Sequence, residues 1–223
     1  MAAAKPLLAA AFLGLAGAAF VLPAAALADT PTVRITKADQ ARAVAALLHR
    51  ADFGTGWTGG PIKARSLTPP DCPGFDPKES DLVVTGHADA RYVFQKGRVE
   101  LDQDVQVLAS VQAVKTDFAR SISPKLGQCL ALQLKKVPHV VSTTVSRVPF
   151  PQMGAVSAVF RAVVSAQDGK QKGQWVTDYV FFGAGRVEYE FTVVAPPAAK
   201  PQLMQFEVGL AQILLRRAGL LTA

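Results

Sequence analysis

Two segments of the chain alternate in hydropathy with a period of two, a pattern that a helix cannot use and that a half-buried strand requires. In the first, Val99, Leu101, Gln103, Val105 and Val107 fall on one side and Glu100, Asp102, Asp104 and Gln106 on the other. In the second, Val187, Tyr189, Phe191 and Val193 alternate with Arg186, Glu188, Glu190 and Thr192, within a strand predicted over Arg186 to Ala195. Each pattern predicts an antiparallel strand with one covered face and one wet face. A strand from Leu82 to Phe94 precedes the first, joined to it through Gln95-Lys96-Gly97-Arg98, and others are predicted at Val140 to Val148, Ala155 to Ala166 and Gln174 to Phe182. Asp168-Gly169 and the three residues Gly183-Ala184-Gly185 supply turns between the later strands.

Helical spacing surrounds these strands. Thr36, with Asp39 three residues on, starts a helix that runs to about Arg50 with Ala41, Val44, Ala45 and Leu48 on its apolar face. Ser110 caps a second helix carrying Ala113, Val114, Phe118 and Ile122. Ser123-Pro124 restarts it, and Pro138 bounds the second piece. A last helix spans about Lys200 to Arg217, with Leu203, Phe206, Leu210, Ile213 and Leu214 along one face. Residues 51–81 are dense in glycine and proline and predict a long irregular loop. The expected fold is α+β: a mainly antiparallel sheet of about six strands with flanking N-terminal, central (split) and C-terminal helices.

The first 28 residues stand outside this arrangement. Lys5 precedes an apolar run from Leu7 to Leu22, then Pro23 and Ala26-Leu27-Ala28, the order of a secretory signal with an A-x-A cleavage site. The run holds about 16 residues, short of the roughly 20 that cross a bilayer as a helix. Cleavage after Ala28 and a secreted or envelope location are expected, leaving a single domain at 29–223. Cys72 and Cys129 are the only two cysteines, and an oxidising compartment would pair them. Such a bridge would tie the long loop to the split helix, for roughly 4 kcal/mol on chain-entropy grounds. The formal net charge is +7, of which Lys5 supplies one. The bases are scattered rather than interleaved with aromatic residues, so nucleic acid is not an expected partner.

His49, His87 and His139 each stand apart from any serine, cysteine or carboxylate arrangement that marks a triad or metal site. No G-x-S-x-G, H-E-x-x-H or phosphate-binding glycine loop occurs. These absences point away from an enzyme, and the sequence assigns no catalytic residue, metal ligand or cofactor. Glu100, Asp102 and Asp104 have the spacing to gather a cation, but they read as the ordinary charge of a wet strand face. Asp76, Glu79 and Asp81 lack the D-x-D-x-D-G order of dedicated calcium loops.

The strand Gln174 to Phe182 is apolar both ways, with Trp175, Tyr179 and Phe181 on one face and Val176, Val180 and Phe182 on the other. A central strand covered on both sides accounts for this. Alternatively, one face lines a groove, with Trp57 from the long loop as its lid. The expected ligand-binding residues are therefore Trp57, Trp175, Tyr179 and Phe181. The expected function is a secreted, non-enzymatic, sensor-like domain for a small apolar or amphipathic ligand or an envelope component. Its alternatives are an interaction module using the apolar face, for instance as a homodimer, and a cell-envelope hydrolase.

The segments Asp52-Phe53-Gly54-Thr55-Gly56-Trp57, Cys72-Pro73-Gly74-Phe75-Asp76-Pro77, Ser80-Asp81-Leu82 and Phe150-Pro151-Gln152-Met153-Gly154 resemble a family of secreted actinobacterial proteins across most of the mature chain. The order of elements is also similar to the PsbP-like fold and to the extracellular sensor domains of mycobacterial serine/threonine kinases. Those sensor domains usually carry two disulfides, whereas two cysteines permit one here. The resemblance implies an antiparallel sheet with flanking helices around a cleft, an extracytoplasmic location and ligand sensing. It carries over no catalytic residue.

Overall fold

A computed structural model describes residues 29–94 and 99–219. The expected signal segment and the Gln95–Arg98 turn lie outside the described residues. The strands are β1 (Thr32–Val33), β2 (Trp57–Ile62), β3 (Val83–Phe94), β4 (Val99–Leu108), β5 (Val140–Val148), β6 (Val156–Asp168), β7 (Gln171–Ala184) and β8 (Val187–Ala195). The helices are α1 (Lys37–Ala45), α2 (Val111–Ser121), α3 (Pro124–Lys135) and α4 (Lys200–Arg217).

One sheet holds all eight strands, in the order β1-β3-β4-β8-β7-β6-β5 with β2 also pairing along β3. It is α+β, as the alternation requires, but the sheet exceeds six strands and is mixed: β1 runs parallel to β3 and the other pairs are antiparallel. The additional strand β2 corrects the expectation of an irregular loop over 51–81. Its glycines and Pro61 are tolerated because it pairs only with β3, at the sheet edge. Gly59 is required there, since its φ is +115° and a Cβ would stand 2.1 Å from the Arg91 carbonyl oxygen. The β7–β8 connection also differs, because β7 runs on through Gly183 and Ala184 and Gly185-Arg186 alone make the turn.

Each face of the sheet is covered. Ala90, Tyr92, Leu101, Val105, Val180, Phe182, Tyr189, Phe191 and Val193 point to one face and pack with Leu47, Leu48, Leu203, Leu210 and Leu214 from α1, its following turn and α4. Tyr92 donates its hydroxyl to the Leu48 carbonyl. Within α1 the buried residues are Asp39 and Ala43, while Val44 is 48% exposed, so the expected apolar face is shifted. Asp39 causes the shift: it faces the core because Arg186 pairs with it at 2.6 Å. The opposite face carries Phe160 and Phe181 beneath α3 and the Cys72–Cys129 disulfide, with α2 and the 63–81 segment alongside. Ser110 accepts a hydrogen bond from the Ala113 amide at the start of α2, and Pro124 opens α3, as their sequence signals predict.

Candidate functional site: an acidic cavity

The face that alternation marks as wet is partly roofed over. Arg65 to Glu79, α2 and the start of α3 partly cover the polar side of β4 and β8 and bound a half-open cavity of about 410 Å³. The roof is anchored at several points. Cys72 is bonded to Cys129, Gln133 donates to the Asp71 carbonyl at 2.7 Å, and Arg120 reaches the Lys78 carbonyl at 2.8 Å. Arg65 holds Asp89 on β3, through its backbone amide at 2.6 Å and its Nε at 3.1 Å. The expected wet face is half-covered and not fully solvated, because the alternation records polarity and not cover.

Strand register gathers the acids. Asp89 faces Asp104 across β3 and β4, and Asp104 faces Glu190 across β4 and β8, so three carboxylates form a row over three strands. Gln106 separates His87 from Glu188 in the adjacent row. Like charges directly opposite one another are destabilising, and cations offset only part of this row. Arg65 serves Asp89, His87 lies 2.6 Å from Asp104, and Arg91 bonds Asp102 at 2.6 Å. Among the described residues, Glu79, Asp117, Glu188 and Glu190 form no ion pair, and Glu188 Oε1 is buried without a hydrogen-bond partner.

Protonation follows this imbalance. Burial, reinforced by Asp117 and Asp29, pushes Glu79 up to about 8. Burial, reinforced by Asp104 and Asp89 against the pull of Arg65, pushes Glu190 up to about 7. Glu188 is raised well above the ordinary carboxylate range by burial and then by Asp117. Burial lowers His87, but Asp104 and Asp89 outweigh it and hold the imidazolium up to about 9. Asp104 is raised by burial despite His87. Asp89 is lowered, since its His87 and Arg65 partners overcome its burial.

Apolar surface lines the rest of the cavity: Leu67 and Phe75 from the roof, Phe118 from α2 and Ile122 at its end, Leu126 from α3 and Phe181 from β7. Such a site offers a host for an apolar body joined to a positive head, because carboxylates lacking cations stand beside aromatic and aliphatic side chains.

The four residues singled out from the sequence do not meet. Trp57 lies on the other face of the sheet, buried between Phe53 and Phe206 at ring distances of 4.7 and 5.8 Å. Phe181 lines the cavity, while Tyr179 packs with it in the cluster around the disulfide. Trp175 is half-buried beside Val164 and is not among the cavity-lining residues. The strand β7 is interior to the sheet, which accounts for its two apolar faces. Of the cavity carboxylates, Asp104 and Glu79 are weighed from the sequence for a cation and read as ordinary charge, and Asp117, Glu188 and Glu190 are not singled out. The signal for Asp104, Glu188 and Glu190 was two acidic alternating strands, which becomes informative only once β4 and β8 are known to be neighbours; Glu79 and Asp117, in the roof and in α2, had no such signal.

Comparison of the chain with protein families, curated proteins and solved structures finds no match.

Proposed function

We propose that this chain is an extracytoplasmic, sensor-like binding domain whose cavity captures a small amphipathic cation, an amine or guanidine attached to an apolar body. The observation that carries this reading is the presence of Glu79, Glu188 and Glu190, without ion-pair partners among the described residues, beside Phe75, Phe118 and Phe181 in one cavity. Desolvated carboxylates without a counter-charge are costly, and they hold protons or accept a cation to relieve that cost. A bound ammonium takes the second route, and the apolar lining adds roughly 25 cal/mol per Å² of ligand surface removed from water. The extracytoplasmic location is supported by the leader pattern and by a disulfide, which an oxidising compartment favours. Among the described residues, no helix is long and apolar enough to cross a membrane.

Native mass spectrometry tests the reading with an equimolar mixture of small arylalkyl amines and their neutral alcohol counterparts, in the presence of a chelator. Retention of amines over alcohols, abolished by Glu188→Gln, is the expected result. Equal retention of both classes, or retention of neither, contradicts it.

A further inference from the structure

At the β3 end of the acidic row, three groups of different chemistry converge on one point. His87 and Asp89 are two residues apart on β3 and so share a face, while Asp104 stands opposite Asp89 on β4. One ligating atom from each lies within 4.8 Å of the other two. His87 Nε2 is 2.6 Å from Asp104 Oδ2 and 3.6 Å from Asp89 Oδ1.

The remaining oxygens are occupied from outside the cluster. Asp89 Oδ2 accepts from the Arg65 backbone amide and from its Nε, and Asp104 Oδ1 accepts from Gln106 Nε2 at 3.2 Å. Each carboxylate is thus held by an outer donor at one oxygen and turns its other oxygen toward the shared point. Ligands in metal sites are oriented this way, by partners that bond the non-ligating atom. A second observation is independent of the convergence. Asp89 is 1% exposed, yet its Oδ1, the oxygen turned toward His87, has no hydrogen-bond partner. A fully buried carboxylate oxygen with no hydrogen-bond donor, and with only the His87 nitrogen 3.6 Å away, is incompletely compensated for its lost hydration, and a bound cation restores that loss.

We infer that His87, Asp89 and Asp104 form a binding site for one divalent transition-metal ion of the zinc type. One imidazole nitrogen and two carboxylate oxygens suit Zn²⁺, which takes such ligands at about 2.0–2.2 Å and leaves a fourth position when the protein supplies three. Metal entry displaces the proton between His87 and Asp104, and their 2.6 Å separation widens to roughly 3.3 Å, the spacing of neighbouring ligands around a tetrahedral ion. Asp104 also lines the cavity, so a position left open by the three protein ligands has access to the cavity contents. The site stands independently of the proposed organic cation.

The test uses untagged, chelator-treated protein in a non-coordinating buffer, with Zn²⁺ and Co²⁺ as the probes and no amine present. One Zn²⁺ per chain by calorimetry, and visible absorption characteristic of four- or five-coordinate Co²⁺, are expected. His87→Ala and Asp104→Asn weaken Zn²⁺ by more than about 100-fold, and Gln106→Ala, which removes only an outer partner, by about 10-fold. Circular dichroism confirms that each variant is folded, and the wild-type Co²⁺ spectrum stands whether or not a variant folds. Absence of the Co²⁺ bands and of stoichiometric Zn²⁺ binding overturns the inference, as does unchanged Zn²⁺ affinity in folded His87→Ala. The amine tests are made in chelator, so either proposal fails alone.

Discussion

Glu207 on α4 is buried against the same carboxylate that Arg161 grips on the sheet, Asp178 of β7. Arg161 bonds both oxygens of Asp178, and Asp178 is wholly buried. Glu207 is consequently raised far above the ordinary carboxylate range, by its burial and then by Asp178. Removing one partner of a buried pair leaves the other charge uncompensated. Arg161→Met is expected to cost about 3–5 kcal/mol in urea denaturation. A loss under about 1 kcal/mol, the level of an exposed pair, would show that the pair is solvated.

Glu79 gives the cavity a pH dependence of definite sign. Its pKa rises from 4.5 to about 8 on folding, so the folded state holds its proton more tightly than the unfolded chain. The resulting stability is fully present below pH 4.5 and is lost as pH rises toward 8. Glu79→Gln does not ionise and lacks this loss. The melting temperature of the variant should gain on that of the wild type across this interval, and a difference that stays flat with pH would refute the assignment.

The disulfide holds the roof to α3, so its loss should act on stability and on the cavity together. Replacing Cys72 and Cys129 with alanine is expected to cost about 2–5 kcal/mol. Hydrogen exchange should rise first in residues 65–79, which the bridge tethers, rather than in β8 at the sheet centre. Uniform exchange across both regions would place the constraint elsewhere.

Gly86 sits where α1 presses on the sheet. A Cβ there would lie 2.2 Å from the Asp39 carbonyl oxygen, a backbone atom that cannot rotate away. Gly86→Ala should destabilise by about 1–3 kcal/mol, as overpacking of a tight contact does, and displace the α1 amide signals in NMR spectra. An unperturbed spectrum would mean that the helix rides free of the sheet.

Local order was largely legible from the sequence and long-range order was not. Val99 to Val107 and Val187 to Val193 announced their strands because a period of two has one structural use. Ser110 and Pro124 announced helix starts because the first accepts from a free amide and the second lacks one, although the Ser123 side chain makes no capping bond. Nothing local could place β4 beside β8, a contact formed across α2, α3 and three further strands. The acidic row depends on that adjacency, and so does the site. Trp57 misled for a related reason: a tryptophan in a glycine-rich stretch looks like a lid, but β2 turns it into the opposite face to stack with Phe206. His87 looked isolated because its partner Asp104 is supplied by the next strand.

The central claim is that carboxylates lacking counter-cations in an apolar-walled cavity select a positive head on an apolar body. Its most direct test is isothermal titration calorimetry of one arylalkyl amine and the alcohol of the same skeleton, each against wild type and Glu188→Gln in chelator. The account predicts that wild type binds the amine at least about tenfold tighter, a difference of about 1.4 kcal/mol, and that the variant erases the preference. Equal affinity of wild type for amine and alcohol would contradict it.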